Sequence, residues 1–123
     1  MIEFIPGPKS AAYSAGVEIT SLQSIFITSG QLPVDEEGNM PATLAVQTTQ
    51  CVTNCAKVLA EKGYSLTDVV FAQVIIRDGE DFAEMNLGYI GAFGPHKPAR
   101  MSFKNANPPM KGALVEIMVV AAK

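Results

Sequence analysis

The chain holds only two arginines, and Arg100 follows Pro98-Ala99 where a Gly/Pro-rich loop gives way to an extended run. A planar, permanently charged guanidinium at a strand start suits bidentate recognition of a carboxylate; the same placement also fits an ordinary surface or ion-paired arginine. Glu116 is the one ionisable group across 113–122, flanked on its own face by Leu114 and Met118. A carboxyl group short of water in such a run suits general acid or base work, and equally an ion pair at an interface or a rim. Thr28-Ser29-Gly30 closes a β-branched run with a glycine, leaving a backbone N–H open to close approach by an anion, with a hydroxyl beside it. Tyr13, Asn86 and Tyr89 have polar tips suited to lining a pocket, though each alone also fits ordinary packing.

Cys51 and Cys55 are four apart in a helical pattern, on one face but in poor geometry for a disulfide, and read as small core residues. A metal site built on them would need another ligand, and the single histidine, His96, lies in the distant loop 94–98. No phosphate-binding loop, dinucleotide fingerprint or Ser/His/Asp arrangement occurs, so neither metal nor cofactor is expected.

The elements that must carry these residues follow from periodicity. Residues 17–20 and 24–28 form short β-branched runs split by Ser21 and Gln23, the pattern of a hairpin. Gly30, Pro33 and the acidic run 35–39 then make a solvated loop. Across 43–61 apolar positions recur at spacings of three, four and seven, predicting a helix with Thr43 as N-cap and Gly63 as its stop. Residues 69–76 read as a buried strand, and 81–93 as a second helix with Phe82, Met85, Tyr89, Ile90 and Phe93 facing inward. A strand from about Arg100, a turn around Pro108-Pro109 and a last apolar strand over 113–122 complete the order β-β-α-β-α-β-β, with a further strand possible at 2–5.

Two helices cover one face of such a sheet. Both faces of the last strand are apolar, so the open face is expected to meet another subunit. If the final two strands pair as a hairpin, Arg100 falls opposite Val119 or Val120, roughly 10–13 Å from Glu116 within one chain. A small ligand would not bridge them, and a cleft completed by a second subunit resolves the gap.

At 123 residues the chain fits one domain, 1–123, and 48% apolar against 17% charged residues argues against disorder. A net charge of −3 without a basic stripe speaks against nucleic-acid binding. The longest apolar stretch is too short to span a membrane, and the N-terminus lacks signal-peptide character, so a cytoplasmic protein is expected.

Taken in order, Ser29-Gly30-Gln31-Leu32-Pro33, Asp81-Phe82-Ala83-Glu84-Met85-Asn86 with Tyr89 and Phe93, His96-Lys97-Pro98-Ala99-Arg100 and Ala113-Leu114-Val115-Glu116-Ile117 resemble the Rid (YjgF) family of reactive enamine/imine deaminases, collinearly over nearly the whole chain. The resemblance implies a chorismate-mutase-like α+β fold, a mixed β-sheet with two helices on one face, assembled as a homotrimer with clefts between subunits. It implies cofactor-free hydrolysis of small 2-imino acids and their enamines, such as 2-aminoacrylate/2-iminopropionate, to 2-keto acids and ammonia. Carried over by position, Arg100 clamps the carboxylate with the Gly30 amide, and Glu116 positions or activates water with Ser29 nearby. Tyr13, Asn86 and Tyr89 shape the cleft.

Departures from the family pattern concern the cleft walls. Ala11-Ala12 replace a rigid Gly-Pro before Tyr13, and Ser102 stands in the cleft where deaminase members often carry Cys. Residues 103–109 differ from the usual apolar, Leu-Pro-containing stretch, and Met118 replaces a frequent second acid. The alternatives are a trimeric, non-catalytic carboxylate-binding or regulatory protein and, with less support from the charge, an endoribonuclease.

Overall fold

The computed structural model describes the backbone of residues 1–123 and all side chains except that of Asn105. In chain order the elements are β1 (Ile2–Pro6), β2 (Ser14–Ile19), β3 (Ile25–Ile27), α1 (Leu44–Ala60), β4 (Val69–Arg77), α2 (Phe82–Phe93), β5 (Ala99–Ala106) and β6 (Val115–Ala122). The strands form one mixed sheet in the order β1-β2-β5-β4-β6-β3. This is the expected α+β architecture, with the N-terminal strand present.

Both helices begin on side-chain caps. Thr43 Oγ1 accepts from the Val46 N–H at 3.3 Å, and Asp81 Oδ1 accepts from Ala83 N–H at 2.9 Å, each satisfying a first-turn donor that no helical carbonyl can reach. Gly63 at φ +80° and Gly94 at φ +64° follow their C-termini, where the left-handed backbone favours glycine. Helix α1 buries Leu44, Thr48, Cys51, Val52, Cys55 and Leu59. The cysteines are core residues as expected, their thiols donating to the Val115 and Ile117 carbonyls.

Helix α2 buries Met85, Gly88, Tyr89 and Phe93, but Ile90, expected to face inward, is 43% exposed. Gly88 explains the rotation. A Cβ there would lie 2.1 Å from the Ala45 carbonyl oxygen, so α1 and α2 touch backbone to backbone along the line through Gly88.

Two strand pairings differ from the sequence expectation. The runs 17–20 and 24–28 do not form a hairpin: β2 pairs with β1, while β3 lies at the opposite edge against β6. Nor do the last two strands pair with each other. Strand β4 lies between them, parallel to β5 and antiparallel to β6. The longer connection 107–114 permits this crossing. It is tied to α1 by buried Gln47, whose Nε2 donates to Gly112 O at 3.1 Å and whose Oε1 accepts from Leu114 N–H at 2.8 Å.

Alternation along the central strands then divides the sheet. Val74, Ile76, Val115, Ile117 and Val119 lie buried beneath the helices. The opposite face carries Gln73 and Ile75 of β4, Met101 and Phe103 of β5, and Glu116 and Met118 of β6. Neither helix covers it: Ile27 is 62% exposed, Met101 51% and Phe103 46%. No helix among the described residues is long and apolar enough to cross a membrane.

Candidate functional site

The register fixes where the two principal charged residues point. Arg100 pairs with Ala72 and therefore projects to the helix-covered side, whereas Glu116 pairs with Ile75 and projects to the open side. Ala72 in turn faces Val119, three residues along from Glu116. With two inter-strand steps and three residues along the strand, the Cα atoms are about 14 Å apart, on opposite faces. Arg100 is thus not across a hairpin from Val119 or Val120 as expected. The single-chain gap between the two groups is wider than the sequence suggested, because β4 is interposed.

Each group gathers its own neighbours. Around Arg100, the guanidinium carbon is 4.7 Å from the ring centre of Tyr89, 5.4 Å from that of Tyr13 and 5.5 Å from that of Phe82. Nη1 donates to Asn86 Oδ1 at 2.7 Å. Phe82, Asn86 and Tyr89 are spaced by four and three on α2, which places all three on the helix face above β5. The rings supply cation–π attraction and hold the long side chain in one conformation. Arg100 forms no ion pair among the described residues. Burial lowers the pKa of its guanidinium, an effect that the neighbouring Tyr89 and Tyr13 oppose. The group stays charged near neutrality all the same.

Two hydroxyls in this region have no hydrogen-bond partner among the described residues although their oxygens are buried: Tyr89 Oη and Ser102 Oγ. Ser102 is two residues along β5 from Arg100, on the same side of the strand. A buried hydroxyl left unpaired is costly, so both are free to bond something that enters from outside. Burial also pushes the Tyr89 phenol pKa up, with Arg100 counteracting, so the group remains an O–H donor.

On the other face, Glu116 shares a pocket of about 210 Å³ with Gly30, Gln73, Ile75 and Met118. The carboxylate lies directly against Gly30, where a Cβ would fall 2.2 Å from Oε2. Gly30 is held there by its neighbour, since Gln31 exchanges both backbone hydrogen bonds with Ile117, at 2.7 and 3.2 Å. Ser29 is exposed beside them, and the Gly30 N–H has no partner among the described residues.

The residues singled out from sequence therefore fall into two clusters. Arg100, Asn86, Tyr89, Tyr13 and Ser102 are together on one side, Glu116, Gly30 and Ser29 on the other. Sequence reasoning took Phe82 only as a packing residue and passed over Gln73. For Phe82 the signal was its helical spacing to Asn86 and Tyr89; for Gln73 it was a lone amide inside an otherwise apolar strand.

Comparison with known proteins is consistent over the whole length. A RutC family protein of Pyrococcus horikoshii is 35% identical over 119 residues, 95% of this chain and 88% of that protein. The 2-iminobutanoate/2-iminopropanoate deaminase of Escherichia coli K12 is 33% identical over 117 residues, covering 92% of this chain and 91% of the enzyme. Among solved structures, that of the YjgF gene product of E. coli superposes with a TM-score of 0.75 at 33% identity, covering 90% of this chain and 87% of that one. The family model described as endoribonuclease L-PSP matches residues 6–123, and on these grounds the chain belongs to that family, also known as the Rid or YjgF family.

Proposed function

We propose that this protein hydrolyses small 2-imino acids and their enamine tautomers to 2-keto acids and ammonia, in clefts that form between subunits of a homotrimer. The observation that carries the reading is the state of Arg100. Its guanidinium is caged by three rings, uses one hydrogen bond on Asn86 and has no carboxylate partner of its own among the described residues. A fork with five donors held in this way is prepared for an incoming carboxylate, and each charge-assisted bond contributes about 1.5–3 kcal/mol.

The chemistry needs little else. The imine carbon is electrophilic once its carboxylate is oriented, so the protein's task is positioning and one proton relay. Glu116 takes a proton from water as the water oxygen attacks the imine carbon and the C=N electrons move to nitrogen. Glu116 passes that proton to the nitrogen, giving a carbinolamine; the hydroxyl proton then moves by way of Glu116 to the nitrogen, and the C=O forms as the C–N bond breaks and ammonia leaves, giving the 2-keto acid. Ser29 and the Gly30 N–H stand beside Glu116, where they can bond the attacking water or the developing oxygen charge. Since Arg100 and Glu116 occupy opposite faces of one sheet, the reading requires a neighbour's Glu116 cluster against each Arg100 cluster. The uncovered apolar face around Met101, Phe103 and Ile27 is the surface that such a neighbour would bury. The E. coli deaminase relative supports the same reaction class.

The test is to generate 2-iminopropionate with an amino-acid oxidase and follow its decay. The protein should accelerate the decay, and Arg100→Ala and Glu116→Gln should each lower kcat/KM by about 100-fold or more. No acceleration by the wild type, or full activity in Arg100→Ala, overturns the proposal.

A further inference from the structure

Strand β5 carries a second cation on the same side as Arg100. Arg100, Ser102 and Lys104 alternate along the strand, so all three project to one face. Lys104 reaches back toward the Arg100 cluster: its Nζ is 5.9 Å from the centre of the Phe82 ring, the same ring whose centre is 5.5 Å from the Arg100 guanidinium carbon. Sharing that ring limits the separation of the two charges to the sum of those distances, about 11 Å. Lys104 forms no ion pair among the described residues. The nearest acid along the chain from Phe82, Asp81, is engaged as the helix cap on Ala83 N–H.

That limit bounds the ligand. Each cation–carboxylate contact occupies roughly 3–4 Å, so two carboxyl carbons held by both cations lie at most about 4 Å apart, which admits a four-carbon diacid or a bent five-carbon one and excludes a longer, extended one. Between the cations lie the Phe82 ring, against which methylene groups can pack, and the buried Ser102 hydroxyl that lacks a partner among the described residues.

We propose, resting on the reading of Arg100 as a carboxylate clamp, that the cleft selects 2-imino and 2-keto acids bearing a second carboxylate, which pairs with Lys104. The substrate class is the four- to five-carbon dicarboxylic imines, formed by oxidation of acidic amino acids. Monocarboxylic imines occupy the Arg100 end alone and bind more weakly.

Calorimetry with 2-oxoglutarate and 2-oxovalerate tests this, because the two are equal in length and differ at the terminal carboxylate. The wild type should bind 2-oxoglutarate about fivefold more tightly, the effect of one partly exposed ion pair. Lys104→Ala should bring the two affinities together, Lys104→Glu should reverse their order, and Arg100→Ala should lose both ligands. Equal binding by the wild type, or a preference that survives Lys104→Ala, overturns the proposal. A wild type that shows the preference yet accelerates hydrolysis of neither a monocarboxylic nor a dicarboxylic imine overturns the catalytic reading, and with it the imines as substrates, and leaves the cleft's preference for a second carboxylate standing. A wild type that binds neither keto acid overturns both.

Discussion

At the level of single residues Gly30 is constrained by the site itself, because the Glu116 carboxylate occupies the volume that any side chain would need. The conflicting atom is the end of a flexible side chain, so Gly30→Ala should be tolerated by the fold and should instead displace Glu116. The expected result is a melting temperature within a few degrees of wild type, a shift of less than about 1 kcal/mol, with kcat reduced at least about tenfold. The buried cysteines show a different residue-scale effect. Desolvation pushes the Cys55 thiol from its ordinary value near 9 up to about 12, and Cys51 is raised as well. A thiol that resists ionisation when folded favours the folded state at neutral pH, and that contribution is lost as pH rises from about 9 toward 12. Denaturant midpoints should therefore fall between pH 8 and pH 10.5. In a Cys51→Ala, Cys55→Ala variant the protein should be less stable at pH 8 but decline less steeply. Glu116 and Arg100 stand out in the sequence because each is chemically conspicuous in its surroundings: one acid in an apolar strand, one of two arginines just beyond Pro98-Ala99.

The helices were legible among the elements because their signals are local. Thr43 and Asp81 cap the first turns, periodic apolar residues follow, and glycines at positive φ stand beyond the ends. Strand neighbours were not, because pairing is decided by residues far apart in sequence. The chain from 20 to 24 contains Ser21 at φ +59°, which resembles a hairpin turn, yet β3 is drawn to the far edge where its three residues pair with 120–122. Likewise nothing in 107–114 announces that β4 will separate β5 from β6. The inward turn of α2 was misjudged at Ile90 since a glycine shows no hydrophobic signal, although Gly88 sets the helix contact. Gly88→Ala should force α1 and α2 apart, for the clash is with the backbone carbonyl of Ala45 and cannot be relieved by a rotamer change. A destabilisation of about 2 kcal/mol or more is expected, measurable by chemical denaturation. An unchanged midpoint would contradict the close helix contact.

For the molecule as a whole, the decisive asymmetry is between a sheet face sealed by two helices and a face left bare. Both apolar sides of β6 were visible in its sequence, and the bare side is what led to the expectation of a partner. Met101 stands in the middle of that side, so Met101→Glu should leave the protomer folded while preventing association. Sedimentation should show a trimer for wild type and a protomer for the variant, with imine hydrolysis lost alongside. A variant that stays assembled would mean that this face is not where copies meet.

The back-to-back placement of Arg100 and Glu116 carries one more implication. A chain disabled at its guanidinium still offers a sound acid, and a chain disabled at its acid still offers a sound guanidinium. Unfolding equal amounts of Arg100→Ala and Glu116→Gln together and refolding them as a mixture should scramble the subunits, so that about one junction in four brings two undamaged halves face to face. Two inert preparations should thus yield a working one, with roughly a quarter of the wild-type rate.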